Sequence, residues 1–395
     1  MAIVEKNKEC CGCGACSDIC PKKAITMKED DETFLYPKID NEKCINCNLC
    51  EKVCPLNFND FQSPGNVKSF IGTYDDKKVI FDSSSGGAFT AICQIYIQKG
   101  YIIYGAQYDK HLRVVHDSAN TFDGCQRFRK SKYVQSNTEG CFFRIADELK
   151  KGEKVLFSGV SCQVAALCSY LKAKNISSLN LITVNVLCHG VPSQKIFDEY
   201  IKEEEKREGS SICVYKFKNK EPNKGKINSR TSYIEFENGH NYIKTIKNDP
   251  FLRGYYRRLF YRPSCMKCHF TCKERISDYT IADAWNIEEI YPDLNPIEGI
   301  SLLTLNTKQA INDLPELKKY MLLNEISSDW ALNSQALFRE PTSSHKNRDK
   351  FFERWKKKSF RKAVFLSTKP TVKHYIGLLI PSNIKNHIKL LMHIH

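Results

Sequence analysis

The hydrophobic pattern changes period several times along the 395 residues. SFIGTYDD, from Ser69, reads as a strand, and SSSGGAFTAICQIYIQKG, from Ser83, becomes an apolar-periodic helix ending near Gly100. YIIYGAQYD and VVHDS read as the strands that follow. KKGEKVLFSGVSCQVAALCSYLK predicts strand, tight loop and helix, with Cys162 where the helix begins. LITVNVLCHGVPS repeats the plan, its apolar strand running into Cys188, His189 and Gly190. Two apolar strands separated by a helix predict a parallel sheet, whose ligands bind at the carboxyl ends of its strands. Residues 212–247 alternate instead, in YKFK and SYIEFENGHNYIKTI, which predicts an antiparallel insertion. An amphipathic helix from Phe251 to Arg262 is expected to deliver PSCMKCHFTC, and SDYTIADAW reads as a strand. QSPGN, residues 62–66, marks the first boundary. Beyond it the pattern describes an α/β core with an antiparallel β insertion.

Ahead of that boundary the dominant pattern is one of thiols. Cys10, Cys13, Cys16 and Cys20 followed by Pro21 read C-x2-C-x2-C-x3-C-P, and Cys44, Cys47, Cys50, Cys54 and Pro55 repeat it 34 residues later. A disulfide framework suits short secreted chains, whereas this one opens MAIVEKNKEC, with no apolar run that would act as a signal peptide. A cytoplasmic protein with reduced thiols is expected, and the odd total of nineteen cysteines argues against complete pairing. Zinc sites use separated C-x2-C pairs, but three thiolates at two-residue gaps hold three corners of one cubane, and the fourth cysteine of each run serves the other cluster. One [4Fe–4S] is therefore assigned to Cys10, Cys13, Cys16 and Cys54, and a second to Cys44, Cys47, Cys50 and Cys20. Cys11 is left over. Gly12, Gly14 and Ala15 keep the first loop free of bulk. Residues 1–60 resemble a bacterial two-cluster ferredoxin, and the fold class expected overall is α+β: this module followed by the α/β core.

Charge alters the picture only at the far end. Residues 1–60 hold 8 Lys and Arg against 11 Asp and Glu, whereas residues 341–395 hold 13 against 2, so that +11 of the net +15 lies in the tail. No stretch is long and apolar enough to span a bilayer. The tail is expected to be a basic amphipathic extension, either lying on an anionic membrane surface or simply solvated. Nucleic acid is not an expected partner, because no recognition motif accompanies the charge.

Seven segments, in order after the thiol module, carry a resemblance: SSSGGAFTA, RKSKYVQS, VLFSGVSCQVAAL, VLCHGVPS, RPSCMKC, SDYTIADAW and EGISLLTLNT. They resemble the beta-subunit family of coenzyme F420 hydrogenases and dehydrogenases. The resemblance implies domains at 67–150 and 151–340, the second binding flavin and iron–sulfur, before the tail at 341–395. It implies an oxidoreductase carrying FAD and a third [4Fe–4S], passing electrons between clusters and a hydride carrier, coenzyme F420 or another soluble substrate. The third cluster's implied ligands are Cys162, Cys188, Cys265 and Cys268, with Cys272 competing and ordinary buried cysteines the alternative at Cys162 and Cys188. For the flavin, Ser85, Gly86 and Gly87 precede a helix whose free amides suit a pyrophosphate. Lys132, between Ser131 and Tyr133, is expected at a phosphate or the reduced ring, Gln135 and Ser136 at further hydrogen bonds, and His189 at the flavin or the third cluster. Ala282 stands where the family tends to have glycine, leaving the role of Asp283 open. Expected partners are ferredoxin or another redox protein and a second copy of the chain. The competing function classes are a non-catalytic electron-transfer subunit of polysaccharide-synthesis or other redox machinery, and a zinc-dependent binding protein.

Overall fold

The computed structural model describes residues 8–57, 67–220, 230–275, 277–295 and 298–369. Each cysteine run forms a loop followed by a short helix, Ala15–Ile19 in the first and Leu49–Lys52 in the second. Strands β1 (Ile25–Glu29) and β2 (Leu35–Ile39) pair antiparallel between them. The duplication is visible in the backbone. Gly12 (φ 67°) and Asn46 (φ 51°) are corresponding left-handed positions, as are Gly14 (φ 72°) and Asn48 (φ 58°). Glycine and asparagine are the residues that enter this conformation at low cost.

Strands β3 (Lys68–Tyr74), β4 (Tyr101–Tyr108), β5 (Val114–Ala119), β6 (Lys154–Val160) and β7 (Leu181–Val186) precede the insertion. The insertion holds β8 (Ile212–Phe217), β9 (Thr231–Phe236) and β10 (Asn241–Thr245), an antiparallel sheet as the alternation predicts. After it come β11 (Tyr279–Asp283), β12 (Ser301–Leu305) and β13 (Met321–Ile326). One sheet of eight strands, ordered β13-β3-β12-β11-β7-β6-β4-β5, collects the rest. Its centre is parallel, in the pairs β4–β6, β6–β7 and β7–β11. Its flanks are antiparallel, which departs from the expected parallel sheet. The turn between Tyr108 and Val114 is too short for a parallel crossover, so β5 must return antiparallel. Because β3 lies between β12 and β13, strands of the segments 67–150 and 151–340 share one sheet.

The thiol module is packed into this core on two sides. Ala15, Ile19 and Val53 join a buried cluster with Phe142 and Ile145 of the helix Cys141–Lys150 and Val164 and Leu167 of the helix Ser161–Ala173. Phe34 and Tyr36 join another, built from the insertion, the helix Gln194–Glu208 and the chain's last described helices.

Two expectations need correction here. The helix expected from Phe251 to Arg262 spans only Pro250–Tyr256, and Arg258 turns left-handed at φ 57°. The turn lets Phe260 pack across Gly254, where an added Cβ would lie 2.1 Å from its ring. The basic tail, in its described part, is no extension. Helices Arg348–Trp355 and Phe360–Thr368 bury Phe351, Phe352, Phe360, Ala363 and Val364 in the main cluster, and Arg348 pairs with Glu32 of the thiol module. Residues 370–395, where the expected membrane-binding segment continues, lie outside the described residues. Among the described residues, no helix is long and apolar enough to cross a membrane.

Candidate functional site

Thiols of both cysteine runs come together in the module. Cys16 is raised by burial and then by the charges of Cys10 and Cys54, which places thiols from both runs around one spot. A backbone amide points at the sulfur of Cys10: Gly12 N–H donates to Cys10 Sγ (3.3 Å). Such N–H···S bonds are the usual surroundings of a cluster's thiolates. The second set is nearer the surface. Cys47 is exposed, Cys50 senses Cys47, and Cys20 accepts the Ala24 amide at 3.3 Å. Among the described residues no three His, Cys, Asp or Glu side chains close around a single-ion position.

A third set forms at the carboxyl ends of β6 and β7. Cys162 opens the helix after β6, Cys188 follows β7, and the short helix Pro263–Lys267 carries Cys265 and leads into Cys268. These thiols act on one another: Cys162, raised first by Cys11 and by burial, is raised further by Cys268 and Cys188, and Cys265, pushed up first by burial, is raised further by Cys188 and Cys268. Burial pushes the Cys188 thiol up to about 11, so an ionised sulfur there needs a positive partner. Cys11, unassigned from spacing, shares thiol hydrogen bonds with Cys13 and Cys162, and so stands where the first and third sets meet.

The first and third sets meet a single cavity of about 550 Å³. Its walls include Cys11 and Cys13 of the module, Cys162, Cys188, Cys265 and Cys268 of the core, and Ser85, Gly87, Ser131, Lys132, Tyr133, Gln135, Ser136 and His189. Cavities of this size, at the ends of parallel strands, are where α/β proteins bind ligands. The charges facing it are mostly positive: Arg129, Lys130, Lys132, Lys218, Arg230, Arg258 and Arg275 against Glu9 and Asp283. Burial pushes Lys132 down to about 7, and its ammonium donates to the carbonyls of Arg127 and Arg129.

Several expected contact residues have structural partners. Gly86 lies behind the cavity wall, its amide on Ser301 Oγ (3.0 Å), and the Ala88 amide reaches the same hydroxyl (3.4 Å). Two amides expected free at the helix start are therefore used by the fold. An added Cβ at Gly86 would meet Gly72 O at 2.3 Å, so close packing against β3 demands this glycine. Ser85 Oγ donates to Ile300 O, Ser131 N–H to Ser84 Oγ, and Ser136 Oγ accepts from Gln163. Tyr133 stacks on Tyr255 with ring centres 4.2 Å apart. Gln135 turns its amide to the module, donating to Cys11 O (2.9 Å) and Gly12 O (3.2 Å).

Other residues at or behind the wall carried no such signal in the sequence. Lys218 Nζ meets both Asp283 oxygens at 2.6 Å and lies over the Trp285 ring, which gives Asp283 its role. Lys220, pushed down to about 7 by burial and then by Lys218, ties Ser85 O to Ile80 O. His116 bonds Ser158 O through Nε2, while its buried Nδ1 has no partner among the described residues. Its only sequence signal was one polar position in VVHDS.

Comparison with known proteins bears on the same regions. Residues 9–58 match the model of the 4Fe-4S dicluster domain, and residues 152–325 match that of the C terminus of the coenzyme F420 hydrogenase/dehydrogenase beta subunit. No curated protein matches the sequence. A chain of the F420-reducing [NiFe] hydrogenase complex from Methanosarcina barkeri is similar in structure, at 15% identity and a TM-score of 0.46, over 75% of this chain and 94% of that one. The sequence is thus similar to a 4Fe–4S dicluster domain near its start and, over 152–325, to the C terminus of the coenzyme F420 hydrogenase/dehydrogenase beta subunit.

Proposed function

We propose that this chain is an iron–sulfur flavoprotein oxidoreductase, with FAD in the cavity and a third [4Fe–4S] held by Cys162, Cys188, Cys265 and Cys268. The observation that carries this reading is the shared cavity: thiols of the dicluster module, the four core cysteines and the cationic wall all face one space. The excess of Lys and Arg suits a pyrophosphate. A flavin bound there supplies the exchange between single electrons and hydride that clusters alone cannot perform. The chain's part is positional. Lys218 and Asp283 fix one wall, the stacked Tyr133 and Tyr255 another, and the module's docking brings its first thiol set to the rim. The hydride partner is coenzyme F420 or another soluble carrier, and the electron partner is a ferredoxin or similar redox protein.

Anaerobic purification followed by flavin extraction and iron analysis tests the reading. FAD and three cubanes are expected, and Cys188→Ala is expected to lose about four irons while keeping FAD. Iron-replete protein without flavin overturns the proposal.

Lys132 gives a pH test. Its amine is protonated in the folded state only below about pH 7, far under the ordinary lysine value. Burying that charge costs stability below about pH 7, and the cost is relieved progressively between about pH 7 and the ordinary lysine value of 10.5. An anion bound beside Lys132 reverses the balance by holding the proton. Inorganic pyrophosphate is therefore expected to bind flavin-free protein more tightly at about pH 6 than at about pH 8, by up to about tenfold per unit. Lys132→Met should flatten that dependence in a calorimetric titration, and an unchanged slope would separate Lys132 from the anion.

A further inference from the structure

Among the described residues, Arg262 is a buried cation without an acid. It is 0% exposed, and among the described residues its hydrogen bonds go to Cys10 O (Nε, 2.8 Å), Gln135 Oε1 (Nη1, 3.1 Å) and Leu35 O (Nη2, 2.8 Å), with the Cys10 thiol beside it and no carboxylate bonded to it. Its faces lie over Tyr36 and Phe34, at 4.4 and 5.4 Å from the ring centres. A guanidinium does not lose its proton inside a protein, so the charge stays. Burying it without a counter-charge is among the more expensive things a fold can do. Tyr36 and the carbonyl dipoles offset part of that cost, but none of them carries a full negative charge.

The missing charge lies next to it. Arg262 is in contact with the loop that carries Cys10, Cys13 and Cys16, so close that a Cβ added to Gly12 would sit 2.7 Å from Nη1. With thiolates and a cluster in place, that loop is anionic, and each added electron makes it more so. The corresponding loop of the second run has Asn46 in place of Gly12 and ends in exposed Cys47, where solvent screens the charge. The two halves of one duplicated motif are thus compensated in different ways.

We propose that Arg262 is the fixed counter-ion of the cluster held by Cys10, Cys13, Cys16 and Cys54, and that it raises the reduction potential of that cluster. Burial alone makes an anionic cluster harder to reduce, because the charge it gains is poorly solvated. The guanidinium offsets this for the one cluster that stands between the exposed cluster and the cavity. One electron, supplied by the reductant, enters the first cluster and meets a positive charge already in position. Arg262 also stands three residues before Cys265, so one segment serves both the first and the third thiol sets. The inference rests on the dicluster reading of the module, and the experiment separates the two.

The test is a dithionite titration of the full-length protein under argon, followed by electron paramagnetic resonance, on wild type, Arg262→Lys and Arg262→Gln. Iron content is measured first. In Arg262→Gln one midpoint is expected to fall by a tenfold or larger change in its one-electron constant, about 59 mV, while the other midpoints stay. Arg262→Lys, which keeps the charge, should hold most of the wild-type value. Iron-replete Arg262→Gln with unchanged midpoints, or with all of them shifted alike, overturns the proposal. Should Arg262→Gln fail to hold iron, Gln135→Glu puts a carboxylate on the same guanidinium. The same selective fall supports the assignment and unchanged midpoints overturn it. Wild-type protein without iron sinks the cluster reading itself.

Discussion

A chain ending at residue 340 is expected to lose its cooperative fold. The charge of this segment suggests a dispensable tail, but its apolar residues fill the core. Phe351 packs on Phe260 with ring centres 5.5 Å apart, and Phe360 contacts Phe260 at 5.9 Å and Tyr200 at 6.1 Å. Glu203 accepts the amides of Phe360 and Arg361 at the start of the last described helix, and buried Glu204 pairs with Arg361 and Lys244. Arg348 binds Glu32 Oε1 (2.8 Å) and Tyr261 O (3.0 Å), joining the segment to both the thiol module and the residue before Arg262. Truncating one such phenylalanine to alanine costs about 3–5 kcal/mol. Removing several at once exceeds the roughly 5–15 kcal/mol that holds a typical domain together. Urea unfolding followed by circular dichroism reads the difference, and a 1–340 chain with the wild-type midpoint would show that these helices are ornamental.

Cys54→Ala is expected to strip the cluster of the first cysteine run, 34 or more residues upstream, and to spare the cluster of its own run. Cys54 acts on Cys16 together with Cys10, and is itself raised to about 11 by burial, with the charges of Cys11 and Cys10 adding to it. The variant should lose about four irons. Alkylation under anaerobic conditions, mapped by mass spectrometry, then identifies which thiols were released. Cys10, Cys13 and Cys16 are expected to react while Cys44, Cys47 and Cys50 stay protected. Release of the latter three instead would mean that each run binds its own cluster.

What the sequence determined by itself was whatever depends on neighbours along the chain. Two cysteine runs at the same spacing imply two similar loops, and the left-handed pairs Gly12 with Asn46 and Gly14 with Asn48 show the backbone obeying that repeat. Strand alternation in residues 212–247 and the apolar runs before Cys162 and Cys188 are equally local, and their strands form where the periodicity puts them. Tertiary structure decided the rest, because burial belongs to surfaces that meet across long stretches of chain. A positive charge in sequence reads as solvated, yet Arg262 is enclosed by Cys10, Leu35 and Gln135, contributed by three distant segments. Lys218 likewise is buried only because Asp283 arrives on β11 to neutralise it. Gln135 could not be told from a ligand contact until the module's loop came to rest on its amide. The lysines and arginines of residues 346–362 hid the phenylalanine stripe beneath them, since a helix can carry charge on one face and core on the other. The partner that covers an apolar face is fixed by packing, and packing has no period to read.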